Sequence, residues 1–388
     1  LLLYRYKHLP KAIENAEKLG FRGGAALYPM VTMNREECHN EWEITFEEVH
    51  RNGAIAYAIY NYIRHSQDWH HLTEGGLDVL TGIARFWAQR VNWSKTKKAY
   101  VMLGVTGPNE YENNVNNNYY TNFMAAWCLE YAAECAQWLA TEQPADYAEL
   151  LAKLQLDSDE IEQWEAIREN LYFPYSEEHQ VFLQQDGFLD KELIPVNELD
   201  PAQRPINQKW SWDRILRSCY IKQADTLQGM FFFEDRTDLD VLKRHFDFYE
   251  PLTVHESSLS PCVHTVLASR LGYKKKAYEL YLRTARLDLD DYNHEVYQGL
   301  HVTAMGGTWM SVVYGFGGMK IVGEDLHFQP FLPEQWTGLS FHLRWRGTLL
   351  HVQVAESGLT VAHKDGPDVT FHVGGMAHTL KCCETFHA

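Results

Sequence analysis

Residues 107–118 read GPNEYENNVNNN, and residues 119–138 continue YYTNFMAAWCLEYAAECAQW. The first twelve break regular structure, because Pro108 and Asn109 after Gly107 are turn formers. The next twenty place apolar side chains at helical spacing, so a long helix begins near Tyr119. Glu110 is thus expected on a loop at the mouth of a helix, where functional residues concentrate. Short amides around a carboxylic acid suit a ligand dense in hydroxyls, a sugar. The competing reading is an Asn-rich turn with no ligand. Trp93, Tyr100, Tyr119, Tyr120, Phe123 and Trp127 crowd the same region and tilt the balance toward a carbohydrate pocket.

The same helical period recurs outward from this stretch. It appears over residues 44–63, 77–91, 147–156, 239–248, 262–271, 275–286 and 296–314. The helices share no short repeat, which favours a closed helical toroid over a solenoid. The polar stretch 172–209 reads as a loop wrapping the surface. After Met319 the period changes to two, in residues 339–345 and 351–354, with Gly347, Gly358 and Gly366 as punctuation. The expected organisation is a mainly α domain over 1–318 and a small antiparallel β domain over 319–388, the latter structural.

At 388 residues the chain is long enough to bury a large core. A net charge of −17 argues against nucleic acid or an anionic membrane as partner. No run of about 18 apolar residues is present, so no membrane span is expected. Seven cysteines, Cys38, Cys128, Cys135, Cys219, Cys262, Cys382 and Cys383, form an odd set without a CxxC pair. That pattern points to a reducing compartment and idle thiols, with no metal site. The sequence begins with LLLYRY, inside an amphipathic helix that lacks a cap. The chain is therefore expected to be the later part of a longer protein.

Four further segments stand out. His39, Trp42 and Glu43 lie in a charged aromatic cluster before a helix. They read as a sugar platform or, for Glu43 and Glu47, as complements to the helix N-terminus. Lys222 and Gln223 precede another helix and read alone as a solvated face. Ser257 and Ser258 stand before Pro261, as N-cap hydroxyls or as part of an anion cradle. His301, Gly306 and Gly307 lie in a helical pattern where paired glycines permit close backbone approach. There is no P-loop, HExxH or GxSxG motif, and nothing supports a Ser or Cys nucleophile.

On the motifs GPNEYENNVNNNYYTN, CHNEWEITFEEVHRNGAIAYAIYNY, KQADTL, HESSLSP and GLHVTAMGGTW, the chain resembles glycoside hydrolase family 65 over essentially its whole length. This family holds inverting phosphorylases of maltose, trehalose and kojibiose. The resemblance implies an (α/α)6 barrel, incomplete at its N-terminal side, followed by a small antiparallel β domain. An upstream β-sandwich and a Trp-Asp motif that grips the non-reducing glucose would precede Leu1, leaving the activity of residues 1–388 alone in question. Asn109 departs from the Asp that many members carry before the catalytic Glu.

The implied reaction is inverting phosphorolysis, with maltose and phosphate giving β-D-glucose 1-phosphate and glucose. A phosphorylase needs an acid but no carboxylate base, because phosphate is itself the nucleophile. Glu110 would be that acid. Ser257, Ser258, His301, Gly306 and Gly307 would hold phosphate, and Lys222 and Gln223 the glucose. His39, Trp42 and Glu43 would shape both sugar subsites. Inorganic phosphate is the expected co-substrate, with no cofactor or metal, in a cytoplasmic homodimer. The alternatives are a family hydrolase of an α-glucosyl disaccharide of the trehalose or kojibiose type, with Glu256 the nearest candidate base, and a non-catalytic sugar-binding fragment.

Overall fold

The computed structural model describes residues 1–38 and 44–388. Its fold class is mainly α followed by a small β domain. By contacts the chain divides into two units, residues 1–176 with 182–188, and residues 177–181 with 189–388.

The first unit is built from helices α1 (Leu2–Lys18), α2 (Arg51–Ser66), α3 (Leu77–Arg90), α4 (Tyr119–Glu142), α5 (Pro144–Leu154) and α6 (Ser158–Glu169). Small residues on α1, Ala12 and Ala16, are fully buried. On α3 the buried set includes Leu77, Leu80, Ile83, Ala84 and Trp87. This is one wide apolar face at helical spacing. The helix expected over 44–63 is interrupted: a short turn, Ile44–Glu47, ends before α2 begins at Arg51. The break frees Glu47 to bond elsewhere, as described below. Helix α6 lacks a strong apolar stripe and was not expected from periodicity. Asp157 caps it, accepting from the Glu160 amide at 2.9 Å.

The second unit contains α7 (Thr226–Phe232), α8 (Leu239–Tyr249), α9 (Ser260–Arg270), α10 (Lys274–Ala285) and α11 (Val302–Met310). Helix α9 is buried on every side from Ser260 to Ala268, so it is the unit's central helix. The pattern expected to be helical from 296 to 314 resolves into a single 3₁₀ turn, then α11, then a wider turn over Ser311–Phe316.

From Met319 the chain forms eight strands among the described residues: β1 (Met319–Val322), β2 (Asp325–Phe328), β3 (Gly338–Trp345), β4 (Thr348–Ala355), β5 (Gly358–Asp365), β6 (Val369–Val373), β7 (Met376–Leu380) and β8 (Thr385–His387). One sheet has the order β7-β6-β2-β1 and the other β8-β5-β4-β3. The antiparallel expectation holds for every pairing within these two sheets except β6 with β2, which is parallel. Leu326, Phe328, Leu350, Val352, Val361 and Phe371 fill the core of this domain. Alternation along β4 sends Val352 and Val354 inward and Gln353 outward.

Candidate active site

In the first unit, Glu110 lies in a turn nine residues before α4 begins. The segment carrying it is pinned from several sides. Val105 and Val115 exchange backbone hydrogen bonds, closing the loop at its base. Glu47 accepts from the Thr106 hydroxyl at 2.6 Å and from the Asn114 amide at 2.8 Å. Asn109 is buried; its side chain accepts from the Tyr111 amide at 3.3 Å and donates to Gln184 Oε1 at 3.4 Å. The Asn113 amide group donates to the Glu110 carbonyl at 3.1 Å. These bonds fix the backbone of the loop that carries Glu110.

The asparagine run differs from the sugar-binding surface expected of it. Asn116 accepts from the Gly104 amide and Asn117 from the Met102 amide, at 3.1 and 3.0 Å. Asn117 also donates to Asp186 at 2.7 Å. Asn118 caps α4, accepting from the Thr121 amide and hydroxyl. Asn114 and Asn117 adopt left-handed backbone angles, φ 52° and 56°, which short amide side chains tolerate. These amides serve the backbone of the turn. Of the aromatics, Tyr119, Tyr120 and Trp127 are buried, Trp127 stacks on Tyr131, and Tyr119 packs with Phe123 and Phe182, whereas Trp93 is exposed beside Tyr100.

Gln184 and Gln185 were not expected to matter, since they lie in the stretch 172–209 read as a surface loop. Both are buried, and Gln184 also accepts the Tyr119 amide through its carbonyl. The polar composition of the stretch hid this, because Gln184 bonds Asn109, Asn118 and Gln185 inside the protein.

In the second unit, motifs far apart in sequence meet. Ile221 and Thr253 form a parallel bridge, with the Ile221 amide bonded to Leu252 and the Val254 amide to Ile221. This lays the Lys222–Gln223 segment beside the His255–Ser258 segment. The Ser257 hydroxyl then donates to Gln223 Oε1. The Ser258 hydroxyl meets the Thr303 hydroxyl at 3.2 Å, two residues beyond His301. Neither serine caps α9, whose first residue is Ser260. Gly306 is exposed, and a Cβ there would meet nothing, whereas a Cβ on Gly307 would lie 2.8 Å from Cys262 Cβ. Gly307 therefore permits the close packing of α11 on α9, while Gly306 faces open space. His39, Trp42 and Glu43 lie outside the described residues.

The turn before α9 is held from behind. His255 has φ 54°, an uncommon conformation for this residue. Its ring bonds Ser260 at 2.8 Å and Glu250 at 3.2 Å, and its carbonyl accepts from Arg283 at 2.8 Å. Burial pushes the His255 imidazole down to about 4. Glu256 is buried and committed to Arg204 Nε at 3.1 Å and the Ile206 amide at 2.8 Å.

Glu250, His255 and His264 bring possible metal-ligand atoms within 4.8 Å of one another. Glu250, however, already takes hydrogen bonds from both rings and lies 3.3 Å from the Lys276 ammonium. Burial opposes its charge, but the two imidazoles prevail and hold its carboxyl well below the usual range. The arrangement is a buried charge network, in which His264 Nε2 alone of these ring nitrogens has no hydrogen-bond partner among the described residues. Asp325, His327 and His372 have similar spacing in the β domain, where the two rings stack with centroids 4.5 Å apart. Burial pushes the Cys262 thiol up to about 11, which keeps it inert at neutral pH.

Residues 1–310 match the glycosyl hydrolase family 65 central catalytic domain, and residues 319–380 the family's C-terminal domain. Maltose phosphorylase of Bacillus subtilis (strain 168) is 56% identical over 356 residues, covering 92% of this chain and 46% of that protein. Alpha,alpha-trehalose phosphorylase of Thermoanaerobacter brockii is 39% identical, covering 96% of this chain and 48% of that protein. Kojibiose phosphorylase of Halothermothrix orenii is 32% identical, covering 93% and 48%. A solved structure from the human microbiome, named for kojibiose phosphorylase, superposes with a TM-score of 0.92 at 30% identity, covering 100% of this chain and 56% of that one. The chain spans about half the length of the curated relatives it matches. It belongs to glycosyl hydrolase family 65.

Proposed function

We propose that the protein carries out inverting phosphorolysis of an α-linked glucose disaccharide, maltose and phosphate giving β-D-glucose 1-phosphate and glucose. Glu110 gives its proton to the glycosidic oxygen as the bond from that oxygen to the anomeric carbon breaks. A phosphate oxygen attacks the same carbon from the opposite face, so the α linkage becomes a β phosphate ester. Ser257, Ser258, His301 and the Gly306 backbone hold the phosphate, and Lys222 and Gln223 hold the glucose. His39, Trp42 and Glu43 border the sugar subsites. Residues 1–318 form the catalytic part and 319–388 the supporting β domain, in a cytoplasmic homodimer. Phosphate is the co-substrate and no cofactor is needed.

The observation that carries this reading is the state of the carboxylates around the serine cluster. A hydrolase needs a base to activate water. Glu256, the nearest candidate, is sequestered by Arg204 and the Ile206 amide. Hydroxyls and an amide remain at the cluster itself, Ser257 with Gln223 and Ser258 with Thr303, and these suit an incoming anion. The choice of maltose rests on the 56% identity to the Bacillus subtilis enzyme. Trehalose and kojibiose phosphorylases at 39% and 32% are the competitors.

The test is Glu110→Gln in the natural full-length protein, assayed with maltose and phosphate. The amide preserves shape and removes the proton, so the rate falls roughly 10²–10⁴-fold while maltose still binds. Retention of more than about a tenth of the rate removes Glu110 from the acid role.

A further inference from the structure

His301 lies outside regular structure, directly before α11. It is held by one carboxylate at two points: Asp288 Oδ2 accepts its backbone amide at 2.9 Å, and Asp288 Oδ1 accepts the ring Nδ1–H at 2.6 Å. Asp288 sits in the turn after α10 and is itself half-buried. Burial works against its charge, but the hydrogen bonds and charge of His301 prevail and keep its carboxyl below the usual range. The neighbouring acid in the turn, Asp290, is occupied by Arg286 in a bidentate pair at 2.7 Å. The His301 Nε2 atom faces away from Asp288, and Glu295 Oε2 lies 3.9 Å from it, too far for a hydrogen bond.

We propose that Asp288 is a positioning residue that fixes the ring heading of His301 and turns Nε2 toward the phosphate. This rests on the phosphate role given to His301 above. A histidine has two ring nitrogens, and the hydrogen bond at one decides what the other presents. Tying Nδ1 and the backbone amide to the same carboxylate removes both ring rotation and tautomer exchange. It also couples the ring to the start of α11, the helix that carries Gly306.

The experiment is a double-mutant cycle in the natural full-length protein. Asp288→Asn keeps the shape and loses the charge. It is expected to raise the KM for phosphate about 10-fold while changing the KM for maltose less than about 2-fold. In the His301→Ala background the same substitution is expected to change the phosphate KM less than about 2-fold, because the residue it acts through is gone. Asp288→Glu, which retains the charge, should recover part of the loss. Thermal melting of each variant checks folding. An Asp288→Asn effect of equal size with and without His301 means the carboxylate only supports the fold, and overturns the proposal. A silent Asp288→Asn beside a harmful His301→Ala overturns the positioning role and leaves the phosphate site standing. A silent His301→Ala removes both.

Discussion

At the scale of single residues, the loop of the proposed acid Glu110 depends on Glu47. Glu47 takes hydrogen bonds from Thr106 and Asn114 on either side of Glu110. Glu47→Ala leaves a buried hydroxyl and an amide without that acceptor, which costs about 1–3 kcal/mol. The variant is expected to melt lower and to lose turnover with little change in phosphate KM; an unchanged melting temperature would show that the loop is held by other bonds. The sequence makes Glu110 and its loop legible, because Gly107 and Pro108 break structure just before a strong helical pattern. It does not make the asparagines legible. Asn116, Asn117 and Asn118 look alike in composition whether they face a sugar or a backbone amide, and only the three-dimensional turn shows that they face amides.

At the scale of elements, the adjacent glycines of α11 divide the work. A Cβ on Gly307 would press against Cys262 at 2.8 Å and Thr284 at 3.2 Å, while one on Gly306 meets nothing. Gly307→Ala should destabilise the protein by roughly 1–3 kcal/mol through overpacking. Gly306→Ala should stabilise the helix by up to about 1 kcal/mol yet raise the phosphate KM. Chemical denaturation paired with phosphate kinetics separates the two, and the reverse pattern contradicts the assignment. Periodicity located α3, α4, α8, α9 and α10 closely, since each carries a continuous apolar face. It failed where a functional segment interrupts the pattern. The break between Ile44–Glu47 and α2 and the irregular stretch before α11 both lie beside candidate site residues. Local preference there yields to bonds made at a distance, Glu47 to Thr106 and His301 to Asp288.

At the scale of the whole molecule, pH dependence of stability follows from buried imidazoles. Burial pushes His245 and His255 from an ordinary 6.5 down to about 4. The unfolded chain takes up protons below 6.5, but these folded sites do so only near 4. Stability is therefore complete above about pH 6.5 and falls as pH drops toward 4. Each ring contributes up to about 1.4 kcal/mol per pH unit in that window. Melting temperatures measured between pH 7 and 4.5 should decline, and His245→Gln should flatten the slope; a flat or rising profile contradicts the burial argument. The β domain was legible from its period of two, although the parallel β6–β2 pair was not, since strand order leaves no mark on alternation. The proposed role of phosphate as the nucleophile is open to direct test. The natural full-length protein is incubated with maltose, with and without inorganic phosphate, and the products are followed by proton NMR. Equimolar glucose and β-D-glucose 1-phosphate, formed only when phosphate is present, is the predicted result; glucose released at the same rate without phosphate, or an α-configured phosphate ester, would contradict it.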